Sequence, residues 1–194
     1  QNEINRQFRL AGVTNRCEAQ GYNHNDQPIW KIVPDATIQG WEIVSPPMQG
    51  YEGQMQLKAV CKALDVLGVT VDQRCGLHVH HDAADLTGEQ LGKIGAIYSA
   101  FQFTIDRLVA PSRRGNRWAQ RLNWDSITQR GAEKFKGDTK AGFLAKLGTN
   151  FTSTRYLTVN FQALLNHGTV EFRQHQGSVN ATKIWNWVLF TQAI

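Results

Sequence analysis

The chain has 194 residues, enough to bury one sizeable core, and its 41% apolar and 19% charged residues are those of a globular protein rather than a disordered or fibrous one. No apolar run approaches the ~20 residues of a bilayer-spanning helix, and no secretory signal is legible, so no membrane partner is expected. The net charge of +5 favours anionic partners: nucleic acid, nucleotide phosphates or acidic substrates.

Residues 1–11 read as a short helix closed near Gly12. Cys17, Cys61 and Cys75 are an odd, scattered set without Cys-x-x-Cys spacing. That argues against a disulfide framework or a zinc ribbon and for a reducing, cytoplasmic compartment. IWKIV (29–33) alternates as a strand, with Asp35 expected in a turn after Pro34. WEIVS (41–45) is a second strand, stopped by Pro46 and Pro47, which cannot donate into a ladder. Leu57, Val60, Leu64 and Leu67 recur at helical spacing, predicting a helix over about 53–67 that ends at Gly68.

CGLHVHHDAAD (75–85) follows as a strand. Side chains alternate between faces, so His78 and His80 share one face, while Leu77, Val79 and His81 share the other. Thr87-x-x-Gln90 is a capping box that opens a long helix ending before Pro111. Its buried stripe is expected to be Leu91, Ile94, Ile97, Phe101, Ile105 and Leu108. PSRRGNRWAQR (111–121) is a basic loop, and 122–150 reads as an insertion or lid. RYLTVNF (155–161) and GTVEFRQHQ (168–176) alternate as strands, the second turning Glu171, Arg173 and His175 to one face. Asn180 is placed to cap a last helix with Ile184, Trp187, Val188 and Thr191 along one side. One-sided strands interspersed with helices predict an α+β protein, an antiparallel or mixed sheet with helices on one face.

The polar faces of these strands carry one chemistry. Glu42, His78, His80, Asn160, Glu171, Arg173 and His175 would line a single open surface if the strands neighboured one another. Carboxylates with an imidazole suit Mg²⁺ or Mn²⁺. An arginine beside a metal-binding carboxylate suits a phosphoryl group, because the guanidinium binds oxygens bidentately and stays charged. Arg113, Arg114 and Arg117 could add phosphate contacts from the basic loop. Metal plus arginine on one sheet face is what phosphoryl transfer requires. Each residue also has a bland reading: Glu42 as a solvated strand residue, Glu171 with Arg173 as a structural ion pair, the arginine run as a solvated loop. His24, His81 and His167 have no supporting context, and Trp118, Trp124, Trp185 and Trp187 read as core or interface residues.

WEIVSPPMQG, CGLHVHHDA, PSRRGN and GTVEFRQHQGSVN, in that order, resemble the amidoligase family of bacteria and phages, carboxylate–amine ligases with a glutamine-synthetase-like fold. EAQGYNH (18–24) is similar to the region before the second strand in phage-type members. The resemblance spans nearly the whole chain, as a single domain over 1–194. It implies a curved, mainly antiparallel sheet with helices on one face. Gly76-x-His78-x-His80 resembles the Gly-x-His-x-His strand of glutamine synthetase, and Glu171-x-Arg173 its Glu-x-Arg strand.

By that resemblance Glu42, His78 and Glu171 are metal ligands, Arg173 binds phosphate, and Arg113 or Arg114 binds phosphate or substrate. The implied cofactors are ATP and Mg²⁺ or Mn²⁺. The implied catalytic residues are Glu171, Arg173 and His80, with Asn160, His80 and His175 holding a carboxylate or an amine. Carboxylate and amine substrates, peptides among them, are the expected partners, and a homo-oligomer is an open alternative. The family's first strand carries Glu-x-Glu, which this sequence lacks: either that strand lies outside it or the chain is inactive, and because the last helix runs to Ile194 the first strand and the C-terminal end are expected to lie outside it. Two other readings stay open. A metal-dependent hydrolase could use the His-x-His strand to activate water. A nucleic-acid-binding module using the basic loop ranks last, because it leaves both polar strand faces unexplained.

Overall fold

The computed structural model describes residues 1–23, 25, 27–122, 131–148, 151 and 154–194. His24, Trp124 and most of the first third of the expected lid lie outside the described residues. The chain divides into two compact units: Gln1–Cys75 with Gly177–Asn186, and Gly76–Gln176 with Trp187–Ile194.

The first unit opens with α1 (Asn2–Leu10), which buries Ile4 and Phe8. Three strands follow, β1 (Cys17–Ala19), β2 (Trp30–Asp35) and β3 (Gly40–Val44), and then α2 (Gly50–Val66). β2 is central, parallel to β1 and antiparallel to β3. Alternation gives the sheet an apolar face, where Trp30, Ile32 and Ile43 meet Phe8 of α1 and Val60 and Leu64 of α2. α2 ends as the sequence predicts, with Gly68 in the left-handed region at φ +68°. Asp35 refines an expectation. Pro34 and Asp35 extend β2, paired with Trp41 and Gly40, and Asp35 also opens the turn that follows, accepting from the Ile38 amide at its carbonyl and from the Thr37 amide at Oδ1, 2.8 Å away. β1 stops opposite Ile32, so β2 has a single strand neighbour at Pro34, where a residue without an N–H is tolerated.

The second unit holds β4 (Val79–Asp82), α3 (Gly88–Ile105), α4 (Gly131–Lys134), α5 (Lys140–Leu147), β5 (Val159–Asn160), α6 (Ala163–His167) and β6 (Thr169–Phe172). The last helix, α7 (Ala181–Gln192), contributes its residues from Trp187 onward. β6 is central and antiparallel to both β4 and β5. Val79, Val159 and Phe172 share the face that packs on Leu91 and Tyr98 of α3 and on Trp187. The described part of the expected lid is built into this core, with Phe135 and Phe143 fully buried and their ring centroids 4.8 Å apart.

The α+β class therefore holds. The strands are divided between two three-stranded sheets, one in each unit, rather than gathered in one curved sheet. The strands expected over 155–161 and 168–176 contract to β5 and β6, with the flanking backbone held by single bridges at Gly76–Gln176 and Gln120–Leu157. The capping box of α3 forms, Thr87 accepting from the Gln90 amide. The helix is rotated from its expected stripe, however. Leu91, Tyr98, Gln102 and Ile105 are buried, with three glycines, whereas Ile97 is 41% and Phe101 58% exposed and Leu108 is exposed too. The reason is steric: Gly92 lies where an added Cβ would stand 2.5 Å from the Phe135 ring, so the glycine face alone admits the neighbouring segment. Among the described residues no helix is long and apolar enough to cross a membrane.

Candidate functional site

The β4-β6-β5 register builds the site. His80 pairs with Glu171, and Glu171 with Asn160, so these three side chains form one row across the face opposite α3. The next row holds His78, Arg173 and Thr158, fixed by the Arg173 amide donating to the Thr158 carbonyl at 2.9 Å. The alternation read in the sequence is therefore real at 78/80 and 171/173, and the tertiary pairing brings both motifs together.

Glu171 is the centre, at 4% exposure. Its Oε1 accepts a hydrogen bond from Arg173 Nη1 and lies 3.5 Å from His78 Nδ1 and 3.6 Å from His80 Nε2. Its Oε2 accepts from Asn160 Nδ2 at 2.6 Å. Asn160 in turn accepts from the Gln162 amide, and His80 Nδ1 is 2.8 Å from Thr169 Oγ1. Burial alone would raise the Glu171 pKa. The neighbouring His80, His78 and Arg173 outweigh it, so the carboxyl is held below its usual range. Burial and the adjacent Arg173 push His78 down to about 3, which makes it a neutral imidazole with a lone pair to offer.

A second arginine closes the row from behind. Arg113, at the end of the 3₁₀ turn Pro111–Arg113, is 2% exposed. Its Nη2 donates to the Arg173 carbonyl at 2.5 Å and its Nε to the Gln174 carbonyl at 3.4 Å. Among the described residues it pairs with no carboxylate. Burial and Arg173 lower its pKa to about 10, so it stays charged at neutral pH. Gly76 leaves room for both groups: an added Cβ would stand 3.0 Å from Arg113 Nη2 and 3.1 Å from His78 Nε2. Two side-chain atoms in the second row, Arg173 Nε and Thr158 Oγ1, are buried with no hydrogen-bond partner among the described residues.

A buried network fixes the strand carrying Arg173. Tyr98 donates to Gln174 Oε1 at 2.6 Å, and Gln174 Nε2 donates to Asp106 Oδ1 at 2.6 Å. Arg121 holds Asp106 Oδ2 through two nitrogens. Motif and spacing do not single out Tyr98, Asp106, Gln174 or Arg121. A signal for part of the network is nonetheless present: Tyr98, Gln102 and Asp106 recur every four residues on the buried face of a helix, where polar groups need partners.

Glu42 belongs to the first unit, on β3 opposite Val33 and on the face away from Trp30 and Ile43. Two expected site residues of the second unit are not brought to this row. Arg114 turns back to the Val109 carbonyl, at 3.2 and 3.1 Å. His175 is buried with its ring centroid 5.1 Å from that of Trp187, because the pairing with 76–79 shifts by one residue between Phe172 and Gln176. His81 bonds Thr191, and His167 packs edge-on to His80 at 5.8 Å. Among the described residues no three His, Cys, Asp or Glu side chains are gathered as a metal cage.

No curated protein and no solved structure matches this chain. One family model does, over residues 1–194, with the description "Putative amidoligase enzyme". The motifs that built the row, Gly-x-His-x-His and Glu-x-Arg, are the ones that carried the resemblance in the sequence, and the chain belongs to this amidoligase family.

Proposed function

We propose that the protein is an ATP-dependent carboxylate–amine ligase that works through an acyl phosphate, with the β4-β6-β5 face binding the nucleotide's phosphates. One observation carries the reading: Arg173 pairs with the buried carboxylate of Glu171, a second buried guanidinium, Arg113, sits on the Arg173 carbonyl with no carboxylate partner among the described residues, and Arg173 Nε has no partner among the described residues. Excess buried positive charge with an unused donor is costly alone and is relieved by an anionic oxygen. A polyphosphate meets that need.

The donor set fits a divalent cation as well. The ionised carboxylate of Glu171 and the neutral imidazole of His78 are ligands such an ion accepts, with His80 beside them. When bound, Mg²⁺ or Mn²⁺ would neutralise charge on the phosphate oxygens. Arg173 would neutralise the equatorial oxygens of the transferring phosphoryl group, and Arg113 would hold Arg173 in place through its carbonyl. A substrate carboxylate oxygen attacks the γ-phosphorus, the bond to ADP breaks, and an acyl phosphate forms. The amine nitrogen then attacks the acyl carbon, the bond to phosphate oxygen breaks, and an amide remains. In this reading His80, the more exposed imidazole, takes the proton that the amine gives up, and Asn160 orients the carboxylate.

The test is calorimetric titration of ATP with and without Mg²⁺, on wild type and on Arg173→Ala, with Arg173→Lys as the variant that keeps the charge. Mg²⁺-dependent binding that Arg173→Ala abolishes and Arg173→Lys partly restores is expected. ATP binding independent of both Arg173 and Mg²⁺ would overturn the assignment, as would unchanged ADP formation by Glu171→Gln.

A further inference from the structure

Beside the arginine row lies an aromatic corner that the ligation chemistry does not use. The Trp118 and Tyr156 ring centroids are 5.0 Å apart with planes at 73°. The Arg117 guanidinium lies 4.5 Å over Trp118, and that of Arg155 lies 5.4 Å over Tyr156. Arg173 itself is 5.9 Å from the Tyr156 ring, so the corner adjoins the row.

The corner is rigidly tied to that row. The Gln120 amide donates to the Tyr156 carbonyl at 2.7 Å, and the Thr158 amide to the Gln120 carbonyl at 2.8 Å. Asn116 Oδ1 accepts from the amides of Trp118 and Ala119, both at 2.8 Å, which sets the turn that presents Trp118. Both rings are half-buried, whereas Arg117 and Arg155 are exposed on long side chains.

Order along the sheet gives the corner its meaning. Asn160, Thr158 and Tyr156 follow one another at every second residue. They run past Glu171 and then Arg173, because β5 and β6 are antiparallel. The face therefore presents carboxylate with imidazoles, then guanidinium, then aromatic rings. A nucleoside triphosphate presents its groups in the same sequence: metal-bound terminal phosphates, inner phosphates, and a planar base.

We infer that Trp118 and Tyr156 form the nucleobase platform of the nucleotide site, the base taking a ring face that the Arg117 or Arg155 guanidinium now covers, with that exposed side chain swinging outward to admit it. The inference rests on the nucleotide reading above and adds the part of the ligand that phosphate chemistry does not explain.

The experiment compares two probes, ATP and inorganic tripolyphosphate, each with Mg²⁺, by calorimetry. The proteins are wild type, Tyr156→Ala, Trp118→Leu and the ring-keeping Tyr156→Phe, with circular dichroism to establish that each is folded. Wild type should bind ATP more tightly than tripolyphosphate. Tyr156→Ala and Trp118→Leu should each weaken ATP binding on the order of tenfold to a hundredfold, the range of one base stack, and leave tripolyphosphate unchanged. Tyr156→Phe, which keeps the ring, should retain ATP binding, and Trp118→Leu carries the test if the alanine variant does not fold. Equal wild-type affinity for the two probes, or equal losses for both in the variants, would overturn the platform and leave the phosphate site standing. No binding of either probe by wild type would overturn the nucleotide reading and the platform with it.

Discussion

Replacing Glu171 by glutamine tests the charge balance of the site directly. The substitution keeps the shape and removes the negative charge that Arg173 and Asn160 hold. Arg173 is 7% exposed and Arg113 sits against its carbonyl, so the variant leaves two buried guanidiniums and no carboxylate among them. Breaking a buried ion pair from one side costs about 3–5 kcal/mol. For a chain of this size each kcal/mol shifts Tm by roughly 2–4 °C, so the melting temperature should fall by roughly 6–20 °C. The assay is thermal unfolding at pH 7 of wild type, Glu171→Gln, Arg173→Met and the double variant. The double variant removes both charges and should recover most of the loss, because a buried pair replaced on both sides is close to neutral. It should not recover Mg²⁺-dependent ATP binding. A single Glu171→Gln variant that melts within about 2 °C of wild type, below the shift of one kcal/mol, would refute the view that the carboxylate balances buried positive charge.

Three further outcomes follow from the same geometry. Gly76→Ala forces Arg113 Nη2 and His78 Nε2 apart by a few tenths of an ångström, both being ends of side chains that can yield. It should cost at most about 1 kcal/mol in thermal unfolding while weakening ATP binding, and a variant that binds ATP normally would show that Arg113 is not in the site. Tyr98→Phe leaves Gln174 Oε1 buried without its donor, so unfolding in urea should show a loss of about 1–3 kcal/mol. Acid should destabilise the metal-free protein from a defined window. The folded His78 titrates near 3 against an ordinary 6.5, so the unfolded chain binds more protons between these values and stability falls as pH drops from 6.5 towards 3. Glu171, also held below its usual value, loses its contribution in the same direction as pH falls below 4.5. Urea midpoints measured in EDTA across pH 7 to 4 should show the fall in wild type and a shallower one in His78→Gln.

Local chemistry makes several elements legible in the amino-acid sequence. The capping box of α3, the glycine end of α2 and the Asn180 cap, which bonds the Lys183 amide at 3.0 Å, are set by neighbours in sequence. The rotation of α3 is not legible there. Ile97 and Phe101 have the spacing of a buried stripe, yet the helix turns its glycines inward because Phe135, more than forty residues away from Gly92 in sequence, fills that space. Hydrophobic spacing names candidate faces, and a distant partner chooses between them.

The same division runs through the site. The alternation of 76–80 and 171–173 determined by itself that His78 and His80 share a face, and that Glu171 and Arg173 do, because the strand period is two residues. Which strands neighbour which was decided only by tertiary pairing. β6 took the centre between β4 and β5, set His80 and Asn160 on either side of Glu171, and drew Arg113 behind Arg173. Where the register slips, alternation stops predicting: Val79 pairs with Phe172 but Gly76 with Gln176, so one extra residue is taken up between them, and His175 packs on Trp187 although its place in the sequence matches Glu171 and Arg173. A strand's period assigns a shared face only as far as the register holds.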